Sequence, residues 1–188
     1  MNKRYLRNLR KLLPAIMMCG AGVGLTACFD DAESTAEKYK DWRELNEKYV
    51  QNEEARTENG KPYYTRITPT WAPNAYVLVH WHNDRSLTQN NLSPMDNSTV
   101  QITYELFDID GNRISDSFAK ADSIYTSRPN QNIIGMWAAM THMNVGDSVT
   151  MVIPSQAGYG EIPNGDIKPY STLVYNVKMK AITAYEIP

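Results

Sequence analysis

Between Thr99 and Asp108 the chain alternates apolar and polar residues, with Val100, Ile102, Tyr104 and Leu106 on one face. A period of two is the signature of a half-buried strand, because successive side chains point to opposite sides of a sheet. A helix would scatter the same residues around its surface. Asp110-Gly111 follows at once, and such a pair supplies the positive backbone angles of a tight hairpin turn. The chain is thereby tied to an antiparallel sheet with one buried face. Ala75–His82 reads as another strand: Val77, Val79 and Trp81 share one side, and Tyr76, Leu78, His80 and His82 the other. Val149, Met151 and Ile153 mark a further strand, and Leu173, Tyr175, Val177 and Met179 mark the last.

Helical signals flank and interrupt these strands. Ser34-Thr35-Ala36-Glu37 is a capping box, with a serine to cap the first turn and a glutamate to reach back. From there to about Arg56 the spacing is helical, and Tyr39, Trp42, Leu45 and Tyr49 form a narrow apolar stripe among charges. Gly60 and Pro62 are expected to stop it. The stripe either packs on the following domain or mediates dimerisation. A short apolar run to Met143 predicts a second helix, with Met136, Met140 and Met143 as core filling. The fold class is therefore α+β.

The N-terminus reads differently. Met1–Lys11 carries five basic residues and no acid, and Leu12–Leu25 is apolar and rich in small residues. That is the pattern of a signal peptide, too short for a spanning helix of about 20 residues. Leu25-Thr26-Ala27-Cys28 resembles a bacterial lipoprotein box. The resemblance implies cleavage before Cys28, lipidation of that thiol, and a chain anchored in the cell envelope, at the outer membrane on its periplasmic or surface face. The expected organisation is a signal peptide over 1–27, a lipidated cysteine, acidic tether and helix over 28–62, and a globular domain over 63–188.

Other chemistries find little support. A formal net charge of −2 gives no basic surface for nucleic acid. The two cysteines, Cys19 and Cys28, both lie near the N-terminus, so the domain has neither a disulfide nor a thiol nucleophile. His80 and His82 point the same way along a strand but lack a third ligand nearby, and zinc asks for three or four. Asp108–Asn112 begins like a calcium loop and then breaks it, with Arg113 at the glycine position and Ala119 at the closing glutamate. No metal or cofactor is expected. The polar loop from Asn83 to Ser98 reads as a connection lying away from any pocket.

From Ile133 to Tyr175 the chain resembles the C-terminal half of an FKBP-type peptidyl-prolyl isomerase, an immunophilin domain. The marks are Ile133-Ile134 before Trp137, Val145-Gly146 after a short helix, Tyr159-Gly160 after a strand, and Pro169 before Ser171–Tyr175. The resemblance covers about Ala75–Ile182. It implies a twisted antiparallel half-barrel sheet wrapped on a short helix, here with the extra N-terminal helix. It also implies a cleft floored by Trp137 and walled by Tyr104, Tyr175, Ile114 and Ile133, with Ile167 on the loop above. Tyr159 and the backbone N–H of Ile134 would donate to substrate carbonyls. The family carries Phe-Asp where this chain has Ile114-Ser115, with Asp116 one place later. The segment from Trp137 to Gly146 is one residue shorter than in the best-known members.

The resemblance implies catalysis of proline cis–trans isomerisation, aiding the folding of exported, proline-containing polypeptides, with a macrolide as a further potential ligand. A cleft of this kind needs no reactive group, since the reaction breaks no covalent bond. The rival reading is a catalytically weak chaperone or peptide-binding lipoprotein of the same fold, which the Ser115 substitution favours.

Overall fold

The computed structural model describes residues 34–118 and 122–185. The segment expected to be a signal peptide, and Cys28, lie outside the described residues. The chain opens with a single turn, α1 (Thr35–Lys38), in which the Ser34 side chain accepts the Glu37 N–H at 3.2 Å. The axis breaks at Tyr39, and α2 (Lys40–Ala55) follows. Arg56 turns extended, and a small hairpin then forms from β1 (Thr57–Glu58) and β2 (Lys61–Pro62). Asn59 and Gly60 make its turn with φ of 51° and 74°, the paired left-handed angles that an Asn-Gly step favours. The residues expected only to stop the helix thus build a hairpin.

One seven-stranded antiparallel sheet organises the rest. Its strands are β3 (Thr65–Ile67), β4 (Val77–Trp81), β5 (Thr99–Phe107), β6 (Arg113–Asp116), β7 (Tyr125–Ser127), β8 (Ser148–Ile153) and β9 (Leu173–Ala184). The order is β3-β4-β8-β9-β5-β6, with β7 also pairing β5. β6 takes the C-terminal half of that edge, opposite Glu105–Phe107, and β7 the N-terminal half, opposite Val100–Ile102. The twist brings the inner face of the sheet around helix α3 (Ile134–Met140).

The inner faces match the alternation in the sequence. Val77, Val79, Val100, Ile102, Val149, Met151, Ile153, Val177 and Met179 join Met136, Met140 and Met143 in one buried core. Each large side chain buried this way contributes about 1.5–3 kcal/mol. On the opposite face Leu78 and Val152 meet Val50 of α2, with Tyr49, Tyr64 and Tyr76 around them. The stripe of α2 is rotated from expectation. Trp42, Asn46, Tyr49 and Val50 turn inward, whereas Leu45 is 56% exposed. On the inward face Asn46 bonds the Trp42 carbonyl and the Thr172 N–H.

Gly135 shows how closely α3 lies on the sheet. A Cβ there would sit 2.5 Å from Cγ2 of the fully buried Ile153. Gly135→Ala gains about 1 kcal/mol of helix propensity, but the clash should cost about 2–3 kcal/mol gross. A net loss of about 1–2 kcal/mol follows, read as a lower urea midpoint. An unchanged midpoint would contradict this contact.

Two local readings resolve. Asp108 Oδ1 accepts the N–H groups of Asp110 and Asn112 at 3.0 and 2.8 Å, so the calcium-like segment is a turn closed by its own aspartate. His80 stacks on Tyr63 at 3.8 Å, and His82 Nε2 lies 2.8 Å from Thr150 Oγ1. His142 Nδ1 lies 2.8 Å from the Ala138 carbonyl, at the end of α3. Among the described residues no helix is long and apolar enough to cross a membrane.

Candidate active site

At the open end of the sheet lies a cleft of about 390 Å³. Strand β5 contributes Ile102 and Tyr104, and β9 contributes Tyr175. Tyr125 comes from β7 on the edge. The segment entering α3 brings Gln131, Asn132, Ile133 and Met136, and the loop after β8 brings Tyr159. None of these lining residues is charged. Met136, 4% exposed, lies beneath as the floor.

The phenols form a connected set. Tyr104 meets Tyr125 edge to face at 5.5 Å and Tyr175 at 5.9 Å, tilted by 55°. Burial pushes the Tyr175 phenol up first, and the neighbouring Tyr159, Tyr104 and Tyr125 add to it. Tyr175 therefore keeps its proton and stays a donor. The Tyr104 hydroxyl lies 3.2 Å from Ser115 Oγ. Ser115 reaches it because the strand pairing slips between Leu106 and Phe107: Leu106 faces Ser115 and Phe107 faces Arg113. The residue between them, Ile114, is extra, and such a bulge re-aims the side chains beside it.

The N-terminus of α3 faces the same space. The Ile133 carbonyl accepts the Trp137 N–H at 3.0 Å, and no backbone acceptor within the described chain takes the Ile133 N–H. A free N–H at a helix start is a ready donor for a ligand carbonyl. Together the walls can hold an apolar ring against Met136, and the Tyr159 hydroxyl and Ile133 N–H can fix carbonyl oxygens. Among the described residues no group of three or more metal-ligating side chains occurs.

Residues 91–180 match the family model of the FKBP-type peptidyl-prolyl cis-trans isomerases. The chain has an FKBP-like fold, and just under half of it matches that family. Over 87 residues it is 29% identical to the FKBP-type peptidyl-prolyl cis-trans isomerase FkpA of Escherichia coli strain K12, covering 46% of this chain and 32% of that one. The chain thus spans about a third of the length of the curated relatives it matches. Among solved structures it is similar to a peptidyl-prolyl cis-trans isomerase of Pseudomonas syringae pv. tomato, with a TM-score of 0.62 and 20% identity over 77% of this chain and 95% of that one. The crystal structure of FkpA from Escherichia coli gives a TM-score of 0.61 and 22% identity, covering 79% and 64%. At such identities these structures establish the shared fold alone.

Within this fold the expected site residues separate into two groups. Tyr104, Tyr159, Tyr175 and Ile133 converge on the cleft, and Ser115 supports it through Tyr104. The others lie elsewhere. Trp137 is not the floor: its indole stacks on Trp71 at 3.8 Å, and its Nε1 donates to Asp96 Oδ1 at 2.6 Å. Ile134 packs on the core outside the cleft. Both corrections have one cause, a register one residue too late. Shifting it back by one brings Ile133 and Met136, which line the cleft, to the places expected of Ile134 and Trp137, and it restores the residue counted as missing before Gly146.

Ile114 packs against the core beside the cleft without lining it. Asp116 accepts the Phe118 N–H at 2.7 Å and lies 3.5 Å from Arg113. Ile167, 6% exposed, is buried in the core as an anchor of its loop. Reasoning from sequence missed Ile102, Met136, Gln131 and Asn132, and counting back from Gly146 would have found Met136. The loop 83–98 also lies closer than expected. The Ser93 hydroxyl donates to the Thr141 carbonyl at 3.2 Å, and the Asp96 carbonyl accepts the Asn130 N–H at 2.9 Å.

Proposed function

We propose that the chain is a peptidyl-prolyl cis-trans isomerase that acts on exported polypeptides from a lipid anchor at Cys28. The observation that carries the reading is the uncharged cleft in which Tyr104, Tyr125, Tyr159 and Tyr175 surround Met136 beside the unpaired Ile133 N–H. Rotation about a peptide bond is opposed by amide resonance, with a barrier of about 18–20 kcal/mol. Twisting removes that resonance and leaves the amide less dipolar. Walls without charge therefore favour the twisted form over the planar one, and binding the twisted form better is what lowers the barrier. The proline ring sits on Met136 between Tyr104 and Tyr175. Ile133 N–H and Tyr159 hold the carbonyls on either side, so that rotation occurs about one bond only.

A protease-coupled assay on a proline peptide, using the fragment from Ser34, tests this. Tyr159→Phe removes one donor worth about 1–2 kcal/mol and should lower kcat/KM about 5- to 30-fold. Trp137→Leu should lower thermal stability while leaving kcat/KM within about twofold, because the indole lies off the cleft. Equal losses in both variants would contradict the assignment of the cleft.

One observation favours a second reading. Ser115 offers Tyr104 a neutral partner where the family resemblance implies a carboxylate, and a neutral hydrogen bond is roughly half as strong as a charge-assisted one. A binding protein with weak turnover would then suppress aggregation of a client without accelerating its proline-limited refolding.

A further inference from the structure

Helix α2 is joined to the loop that carries Tyr159 by contacts far apart in sequence. Asn46 is 1% exposed. Its Nδ2 donates to the Trp42 carbonyl at 2.7 Å, which sets the amide, and its Oδ1 accepts the Thr172 N–H at 2.6 Å. Trp42 Nε1 donates to Ser171 Oγ at 3.1 Å. Above them the Lys168 ammonium lies 4.5 Å from the Trp42 ring, and the Arg43 guanidinium 5.1 Å from that of Tyr170.

Tyr170 needs such support. Its φ is +62°, a left-handed conformation that costs a side-chain-bearing residue about 1–2 kcal/mol and persists only where its surroundings hold it. In that conformation its N–H donates to the Gly160 carbonyl at 2.7 Å, and the Gly160 N–H donates to the Ser155 carbonyl at 2.8 Å. Gly160 is the residue after Tyr159. A run of direct contacts therefore leads from α2 through Thr172 and Tyr170 to the phenol at the mouth of the cleft. Asparagine is a poor helix interior residue, and at position 46 its amide is used on this loop.

We propose that Asn46, with Trp42, is a positioning residue for Tyr159, so that α2 is part of the working site rather than a spacer before it. The activity arm of the test rests on the isomerase reading; the exchange arm does not. In the full chain, Asn46→Leu and Trp42→Phe each remove one tie and keep an apolar contact. Each should speed amide hydrogen exchange at Gly160, Tyr170 and Thr172 about tenfold, as expected for the loss of one buried hydrogen bond. Amides of β5 and β8 should exchange at the unaltered rate. On a proline peptide, kcat should fall about fivefold with KM changed less than about twofold, since a displaced donor weakens transition-state binding most. Loop exchange at the unaltered rate, or faster exchange spread evenly over all strands, would overturn the proposal. Absence of isomerisation in the unaltered chain would remove the isomerase reading and leave the exchange result to decide the clasp.

Discussion

Ile133→Pro should lower kcat/KM about ten- to a hundredfold and leave the fold in place. Proline lacks this backbone N–H, and loss of one preorganised donor costs about a hundredfold or more in a closed site and less in an open cleft. The backbone already suits the substitution. Ile133 has φ −58°, within the range that the proline ring imposes. Asn132 before it is extended, with φ −106° and ψ 172°, as a residue preceding proline prefers. The N–H serves no backbone partner in the described chain, so removing it breaks no bond of the fold. Ile133→Ala is the control, because it trims the side chain further and keeps the donor. It should retain most of the activity. Circular dichroism and thermal melts of both variants would check that the fold survives.

Asp147→Ala should destabilise the chain by about 2–4 kcal/mol, because it leaves the donors of Thr88, Asn83 and Asn144 without their buried acceptor. Asp147 has no exposed surface. It accepts from the Thr88 hydroxyl, from Asn83 Nδ2 at 3.0 Å and from the Asn144 N–H at 2.9 Å, and Arg85 Nε lies 3.5 Å away. Arg85 also donates to the His142 carbonyl at 3.0 Å and to Asn144 Oδ1 at 2.9 Å. This network fastens the start of the 83–98 loop to the turn before β8. Burial pushes the Asp147 carboxyl up, but the bonds from Thr88, Asn144 and Asn83 and the charge of Arg85 outweigh it, and the group is held below its ordinary value of 3.8. A carboxylate depressed on folding stabilises the chain above the unfolded value, and that stability is lost as pH falls through the folded value. Urea midpoints measured downward from pH 6 should fall below about pH 4. The same series on Asp147→Ala should be flatter.

Much of this architecture is legible in the sequence. Alternation in Thr99–Asp108 and Ala75–His82 marks strands because successive side chains point to opposite faces, although the second strand is covered on both sides, with Leu78 packed on Val50 of α2. The hairpin of Thr57–Pro62 carries its own Asn59-Gly60 signal, which a reading fixed on stopping the helix passes over. Other features depend on partners that no local pattern reveals. The bulge at Ile114 exists only relative to Leu106 and Phe107 on β5, and it is what brings Ser115 to Tyr104. Asp96 meets Trp137 across 41 positions, and Asn46 meets Thr172 across 126. The one-residue slip at the entry to α3 is different in kind. Ile133, Ile134, Met136 and Trp137 are all suitable for a cleft by residue type, but the spacing back from Gly146 separates them, and the close approach of Gly135 to Ile153 is its structural counterpart.

Exchange NMR on a short peptide with one X-Pro bond, with a catalytic amount of the fragment from Ser34 added, tests the central claim most directly. Without catalyst the cis and trans forms interconvert over tens to hundreds of seconds. Exchange cross-peaks between the two forms should appear on the second timescale, with chemical-shift changes centred on Ile133, Met136, Tyr159 and Tyr175 and none at the Trp71–Trp137 pair. Shift changes at the cleft without cross-peaks, or cross-peaks that persist in Ile133→Pro at full intensity, would contradict it.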